Sequence, residues 1–397
     1  MVWVRGGDGF VGWGEAVRIK VPEGRGAFAR AEQALRDLFA ASEIHDEVNV
    51  PGSGPVAFGS FAFDSEHGSS VLIVPRVILA RRAGVSWLTT LEGEAEPRTG
   101  PSRYSPIAPI SWSATTAEHA RWTTKVRTAL AEIRSGHMSK VVLSRHLNGL
   151  SAGIIDPRSM IEALGRRFTE CFTFSCGGLM GATPEPLIRK EGGRVESLVL
   201  AGSVPRGADE VTDLALRATL HSSAKLAHEH RLTVESVEEK LAALCTEVSV
   251  PPPMSLVLAN IQHLATLISG RLRADDSALS LAAALHPTAA VCGTPSAVAL
   301  RFIREFESAR RARYAGPVGW MDSRGDGEWG LALRCASVIG RRVKLWAGAG
   351  IVEGSEPQAE WLETEVKLSG VLDALSAVQD LPHPAILTPG QGGLTHT

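Results

Sequence analysis

Residues 56–88 read VAFGSFAFDSEHGSSVLIVPRVILARRAGVSWL. Short apolar runs at 56–63, 70–74, 77–82 and 85–88 follow one another with turn-forming residues between them. Brief apolar runs broken by Gly, Pro, Asp and Ser are strand signals, and no helix-length periodic segment separates these. Strands joined by short turns pair antiparallel, because a parallel pair needs a long crossover connection. The stretch predicts a meander and an antiparallel sheet rather than βαβ units.

Toward the N-terminus, Phe28, Ala31, Leu35, Leu38 and Phe39 give residues 25–40 helical spacing. Before them, Gly7, Gly9 and Gly12 match the dinucleotide-binding string Gly-x-Gly-x-x-Gly. That fingerprint needs a helix opening on its last glycine. Here residues 13–19 alternate like another strand, so a glycine hairpin between two strands is the better reading.

Toward the C-terminus, residues 94–109 are rich in Pro, Ser and charge and read as an internal linker. Thr115 and Glu118 form a capping box for a helix that runs to Ser135 and stops at Gly136. KVVLSR (140–145) is a buried strand opened by Lys140. A helix at 157–168, strands at 171–176 and 178–182, and a hairpin on Gly192 and Gly193 follow, the last calling for two positive φ angles.

A long amphipathic helix spans 222–244, with Leu226, Thr233, Val237, Leu241 and Leu244 on one stripe and Glu229 beside it. Asp276 is placed to cap a helix at 277–285, and Thr294 to cap the next, with Pro295 at its first position. Strands at 318–322 and 328–338 flank a five-residue turn. A strand at 343–347 then leads to a Gly-rich turn at Gly348 and Gly350, and Ser355, Glu356 and Pro357 open a last helix. On it Glu360, Glu363 and Lys367 share one face, while Trp361, Leu362, Val366 and Leu372 supply the packed side. The predicted fold class is α+β: a single large domain over residues 1–380, with a mostly antiparallel β-sheet core, flanking helices and a disordered tail at 381–397.

Composition limits the function. A hydrophobic content of 44% supports a substantial core, and a net charge of −2 gives no footprint for nucleic acid or an acidic membrane. No apolar run reaches transmembrane length, and the first residues do not form a signal peptide. Five dispersed cysteines without a C-x-x-C read as reduced thiols, so a cytoplasmic location is expected. His228-Glu229-His230 lacks the spacing of a zinc-protease helix, and the Asp322–Gly327 turn lacks two ligands of a calcium loop.

Certain polar residues resist a packing explanation. Lys140 opens an apolar strand, where burial lowers a lysine's pKa. Glu185 sits in the rigid Thr183-Pro184-Glu185-Pro186 segment, and Glu229 lies beside an apolar stripe. Glu363 completes the set, although an ordinary i,i+4 pair with Lys367 also accounts for it. Taken singly, a rim charge or a satisfied ion pair explains each. Together they supply a lysine that can be neutral, a turn-held acid and two carboxylates suited to a hard cation.

The motifs KVVLSR (140–145), GATPEPLIRKEGG (181–193), LAGSVPRG (200–207), SSAKLAHEH (222–230), QHLAT (262–266), HPTAAVCGTP (286–295), YAGPVGWMDSRGDGEWGLALRCA (314–336), AGAGIV (347–352) and EWLETEVKL (360–368) resemble the chorismate-utilising enzymes. That family includes isochorismate synthase, salicylate synthase and the large subunits of anthranilate and aminodeoxychorismate synthases. The resemblance covers nearly the whole chain, with the motif-rich catalytic part at 115–375.

The resemblance implies an isomerase that binds chorismate and Mg²⁺. It implies Glu229 and Glu363 as metal ligands, Lys140 as general base and Glu185 as general acid. Arg334 and Lys367 correspond to residues that bind substrate carboxylates. Gly202, Ser203, Gly348 and Ala349 correspond to backbone contacts, and His263 and Ala290 to the wall of the ring site. Glu360 stays open between a water-mediated ligand and a plain acid.

Within the family, Ala201 stands where aminodeoxychorismate synthases carry a nucleophilic lysine, which leaves room for water. Lys140 is absent from ammonia-using members, so the pattern is most similar to isochorismate synthases, with salicylate synthase and a catalytically silent relative as alternatives. Leu226 departs from the acid that follows the S-x-K lysine in many relatives, and Ser203 from the commoner Thr. Expected consequences are a role in menaquinone or siderophore biosynthesis, a monomer, and no glutaminase subunit, nucleic acid or membrane as partner.

Overall fold

The computed structural model describes residues 1–91, 105–113, 116–307 and 309–379. The cap at Thr115, the tail at 381–397 and most of the linker at 94–109 lie outside these residues. All strand pairings among the described residues are antiparallel, and the strands form two sheets. The first sheet runs Gly293–Thr294, Lys140–Ser151, Arg342–Val352, Cys335–Ile339, Leu179–Thr183, Phe172–Cys176, Val2–Arg5, Asp8–Trp13, Val77–Arg82 and Val85–Thr90, with Ile110–Ser113 also on Lys140–Ser151. The second runs Cys245–Ser249, Ile261–Leu272, Arg194–Pro205, Pro186–Glu191, Gly327–Leu331, Pro317–Asp322, Val56–Ser60, Ser70–Val74 and Val17–Val21, with Met254–Val257 also on Ile261–Leu272. Among the described residues no helix is long and apolar enough to cross a membrane.

The antiparallel reading of residues 56–88 holds, but they do not form one meander. Val56–Ser60 and Ser70–Val74 pair in the second sheet, whereas Val77–Arg82 and Val85–Thr90 pair in the first. The chain changes sheets at Pro75, which has no N–H to continue a ladder. Two further crossings shape the site. One is the Pro184-Glu185 segment between Leu179–Thr183 and Pro186–Glu191. The other breaks the expected strand at 328–338 into Gly327–Leu331 and Cys335–Ile339, with Arg334 at φ 44° between them. The crossings lie side by side, since Leu331 N donates to Glu185 O at 3.0 Å and Ala182 N to Arg334 O at 3.2 Å.

Several local expectations change. Gly348 and Gly350 lie inside the Arg342–Val352 strand, which pairs with Lys140–Ser151 along its length, and not in a turn. Ser277 rather than Asp276 caps Ala278–Leu285, and Pro295 occupies the N-cap of Ser296–Phe306 without help from Thr294. Only Gly192 of its hairpin has a positive φ, 55°. Consecutive positive angles occur at Gly6 and Gly7, at Ala83 and Gly84, and at Gly177 and Gly178. The expected glycine hairpin is partly corrected: its turn falls on Gly6 and Gly7, Gly9 and Gly12 lie within Asp8–Trp13, and the next strand is Val17–Val21 in the other sheet rather than 13–19. A helix at Glu210–Ser222 was not anticipated; it buries only Asp213 and Leu220, too sparse a face to leave a periodic signal. On Pro357–Gln379, Thr364, Leu368, Val371, Ala374 and Leu375 are the buried side, and Leu362 is 53% exposed.

Trp3, Phe58, Phe61, Phe174 and Trp329 are fully buried in the main core. Trp329 meets the Phe61 ring edge-on at 5.5 Å. Trp329→Ala is expected to cost roughly 3–5 kcal/mol in chemical denaturation. A loss below about 1 kcal/mol would contradict this packing.

Candidate active site

Long strands from both sheets converge where the crossings lie: Lys140–Ser151 and Arg342–Val352 from one, Arg194–Pro205 and Ile261–Leu272 from the other. Helices Ala224–Leu244 and Pro357–Gln379 pack against Arg194–Pro205 and Arg342–Val352. The cavity among them measures about 780 Å³, open mouth included, which suits a small organic ligand. Lys140, Glu185, Gly202, Ser203, Glu229, His263, Ala290, Arg334, Gly348, Glu363 and Lys367 all line it. Ala349 does not: alternation along the strand turns it away and brings Gly348 and Gly350 to the cavity. Glu360 is not on the lining either; its carboxylate is buried and bonded to Lys225 Nζ at 2.6 Å.

Lys140 is completely buried. Its Nζ donates to Thr233 Oγ1 at 2.9 Å and lies 3.2 Å from Glu229 Oε1. Gly350 makes this pair possible, since a Cβ there would stand 2.1 Å from Glu229 Oε1. Prolines on both sides restrict the backbone at Glu185, whose N–H donates to Thr183 Oγ1 at 3.3 Å. Burial raises the Glu185 carboxyl to about 8; the Leu200 amide and the charges of Lys140, Lys367 and Arg334 offset only part of that. The acid is therefore largely protonated at neutral pH.

The β-bulge between Ala201 and Ser203 falls on Gly202, at φ 74°. Ser203 Oγ donates to Glu363 Oε1 at 2.9 Å, and Lys367 Nζ donates to the same oxygen at 2.7 Å and to Gly348 O at 2.9 Å. Burial favours the neutral Glu363 carboxyl, but Lys367, Ser203 and Lys225 together outweigh it and hold its pKa below the usual range. Glu360 goes the other way, raised by burial and by Glu363 against Lys225.

Arg334 Nη2 donates to His263 Nε2 at 2.9 Å. Burial, then the charges of Arg334 and Lys367, push the His263 imidazole well below its usual range, so it is neutral. Because Nε2 faces a guanidinium donor, the ring proton of the neutral imidazole sits on Nδ1. His230, from the His-Glu-His string, instead ties its helix to the sheet through Ala201 O at 3.2 Å and Thr266 Oγ1 at 2.8 Å.

For a metal, the donors on offer are oxygens only. Glu229 and Glu363 come from the two covering helices to one cavity, with a lysine nitrogen 3.2 Å from Glu229 Oε1 and another 2.7 Å from Glu363 Oε1. Among the described residues no three His, Cys, Asp or Glu side chains make a closed cage. Two carboxylates with open positions fit a hard divalent cation that shares its remaining positions with water or substrate oxygens.

Sequence reasoning missed Arg311, Tyr314, Leu333, Trp346 and Gly350, all on the cavity. Tyr314 and Trp346 stack at 5.8 Å and 4°. Gly350 was legible in AGAG had strand alternation been applied through the glycines. Nothing in the string marks out Arg311 among its neighbouring arginines.

A family model described as chorismate binding enzyme matches residues 5–376. The salicylate biosynthesis isochorismate synthase of Pseudomonas aeruginosa is 33% identical, covering 96% of this chain and 86% of its own. The isochorismate synthase EntC of Escherichia coli K12 is 35% identical over 86% of this chain and 85% of its own. Among solved structures, MenF, the menaquinone-specific isochorismate synthase from Escherichia coli, superposes with a TM-score of 0.77 at 27% identity, covering 94% of this chain and 88% of that one.

Proposed function

This chain belongs to the chorismate binding enzyme family, and from that premise we propose that it is an isochorismate synthase. The reaction adds water at C2 of chorismate and expels the C4 hydroxyl, giving an isomer. The observation that carries the reading is that one cavity holds a fully buried lysine and a carboxylic acid kept protonated near neutral pH. Lys140 accepts a proton from the attacking water as the C2–O bond forms. Glu185 gives its proton to the C4 oxygen as the C4–O bond breaks, so the departing group is water.

Chorismate is a dianion, and a cavity of carboxylates alone would repel it. Arg334 and Lys367 supply the opposing charge, the former through a planar fork suited to a carboxylate. Neutral His263 orients Arg334 without adding charge, and Ser203 orients Glu363. Glu229 and Glu363 would hold a Mg²⁺, which when bound supplies a positive anchor for the remaining carboxylate. Ala201 puts a methyl group on the cavity wall, so no covalent adduct forms there.

Running the reaction in ¹⁸O-water tests this chemistry. Label is expected at C2 of the product; an unlabelled product would exclude solvent as the nucleophile. Gly350→Ala is expected to displace the Glu229 carboxylate and raise the Mg²⁺ concentration for half-maximal turnover roughly 10-fold or more. An unchanged requirement would remove Glu229 from the metal site.

A further inference from the structure

The strand that carries Lys140 is poorly supported on one side. Gly293–Thr294 pairs with it through Val141 and Lys140 only, and after Val142 N donates to Cys292 O at 2.8 Å that ladder ends. Arg311, from neither strand, takes over. Its Nη2 donates to Val142 O at 2.6 Å and its Nη1 to Val291 O at 2.6 Å. Nε and Nη2 also hold the two oxygens of Glu307, at 2.9 and 2.5 Å. Glu307 returns to the strand, accepting from Ser144 N at 2.7 Å and Ser144 Oγ at 3.0 Å. Phe63 covers the guanidinium at 4.2 Å, and Arg311 is 3% exposed although it borders the cavity.

We propose that Arg311 is a positioning residue for the reaction: with Glu307 it clamps residues 142–144 of the base-bearing strand to Val291, beside the ring-site wall at Ala290. Its donors decide between this role and substrate binding. A guanidinium has five N–H groups. Here the Nε–H, both Nη2–H and one Nη1–H are spent on protein acceptors, so little is left for a substrate carboxylate. Among the described residues the Arg334 guanidinium, by contrast, donates to a histidine nitrogen and a distant thiol and to no oxygen. The clamp therefore acts through the backbone. It fixes where Lys140 stands relative to the substrate ring, and small errors in such placement are costly for turnover. A lysine at 311 keeps the charge but cannot span two carbonyls and a carboxylate at once.

This inference rests on the proposed hydration chemistry, and the test separates the two. Steady-state kinetics on chorismate and amide hydrogen exchange are measured for wild type, Arg311→Lys and Glu307→Gln. For Arg311→Lys, kcat is expected to fall about 100-fold, with KM within about threefold of wild type and faster exchange at 142–144 and 291–293. Glu307→Gln keeps the side-chain shape and is expected to show the same pattern with a smaller loss, which decides the matter if the lysine variant does not fold. A rise in KM with kcat preserved would make Arg311 a substrate ligand. A lowered Tm with kcat intact would make it merely structural. Either result overturns the proposal. A wild type inert toward chorismate sinks the proposed function, and the exchange data still judge the clamp.

Discussion

Replacing Lys140 with methionine is expected to lower kcat by roughly 10²–10⁴-fold, the range that one general base contributes. The residue is completely buried at the start of the strand, with Nζ held by Thr233 and Glu229, so a methionine chain of similar length fills its channel. Lys140→Arg sharpens the test. Arginine keeps a positive charge against Glu229 but cannot act as a base in a protein. Equal loss in both variants, with folding verified by circular dichroism, supports proton acceptance by Lys140. An arginine variant retaining more than about a tenth of wild-type kcat would mean that charge alone is needed there.

Glu185→Gln is expected to remove a comparable factor and to change the pH dependence as well. Glu185 must be protonated to donate, and burial sets its pKa at about 8. Wild-type kcat should therefore fall as pH rises through about 8, and that limb should vanish in the glutamine variant. Stability falls in the same direction. The folded-state pKa lies above the ordinary 4.5, so folding is fully favoured below the unfolded value and weakens as pH rises toward the folded one. At about 1.4 kcal/mol per tenfold step, the wild type gives up on the order of 4–5 kcal/mol by pH 8 and above. Glutamine carries no such penalty, so the variant should resist denaturant better than wild type at pH 8.5. A less stable variant there, or an unaltered alkaline limb, would remove Glu185 as the acid.

The residues picked out in the sequence were those whose charge conflicts with their surroundings, and they carried weight only as a set. Lys140 in an apolar strand and Glu185 between prolines are two of them, since a charge in such a place asks for a partner. Glu229 and Glu363 joined them on the same footing; a rim charge or an ion pair explained each of the four singly, and the family motifs gave all four their roles. The structure explains why both readings had force: each glutamate does pair with a lysine, and both line one cavity.

What stayed hidden was non-local. Residues 328–338 read as one strand because apolar residues resume directly after Arg334, yet the chain leaves one sheet for the other around that arginine. Residues 56–88 read as one meander because pairing partners outside the stretch are invisible from within it. Both sheet crossings beside the site, at Glu185 and at Arg334, depend on two sheets being stacked, which no local period encodes. Arg311 was missed for the same reason, since its carbonyl partners are 169 and 20 residues away in the chain.

Conversion of chorismate to isochorismate in this cavity, with help from a divalent cation, is read out by product analysis after incubation with chorismate and Mg²⁺, with and without excess EDTA. Isochorismate is expected to accumulate without pyruvate, and EDTA to abolish the conversion. Stoichiometric pyruvate, turnover indifferent to EDTA, or chorismate left unconsumed would contradict the proposed function.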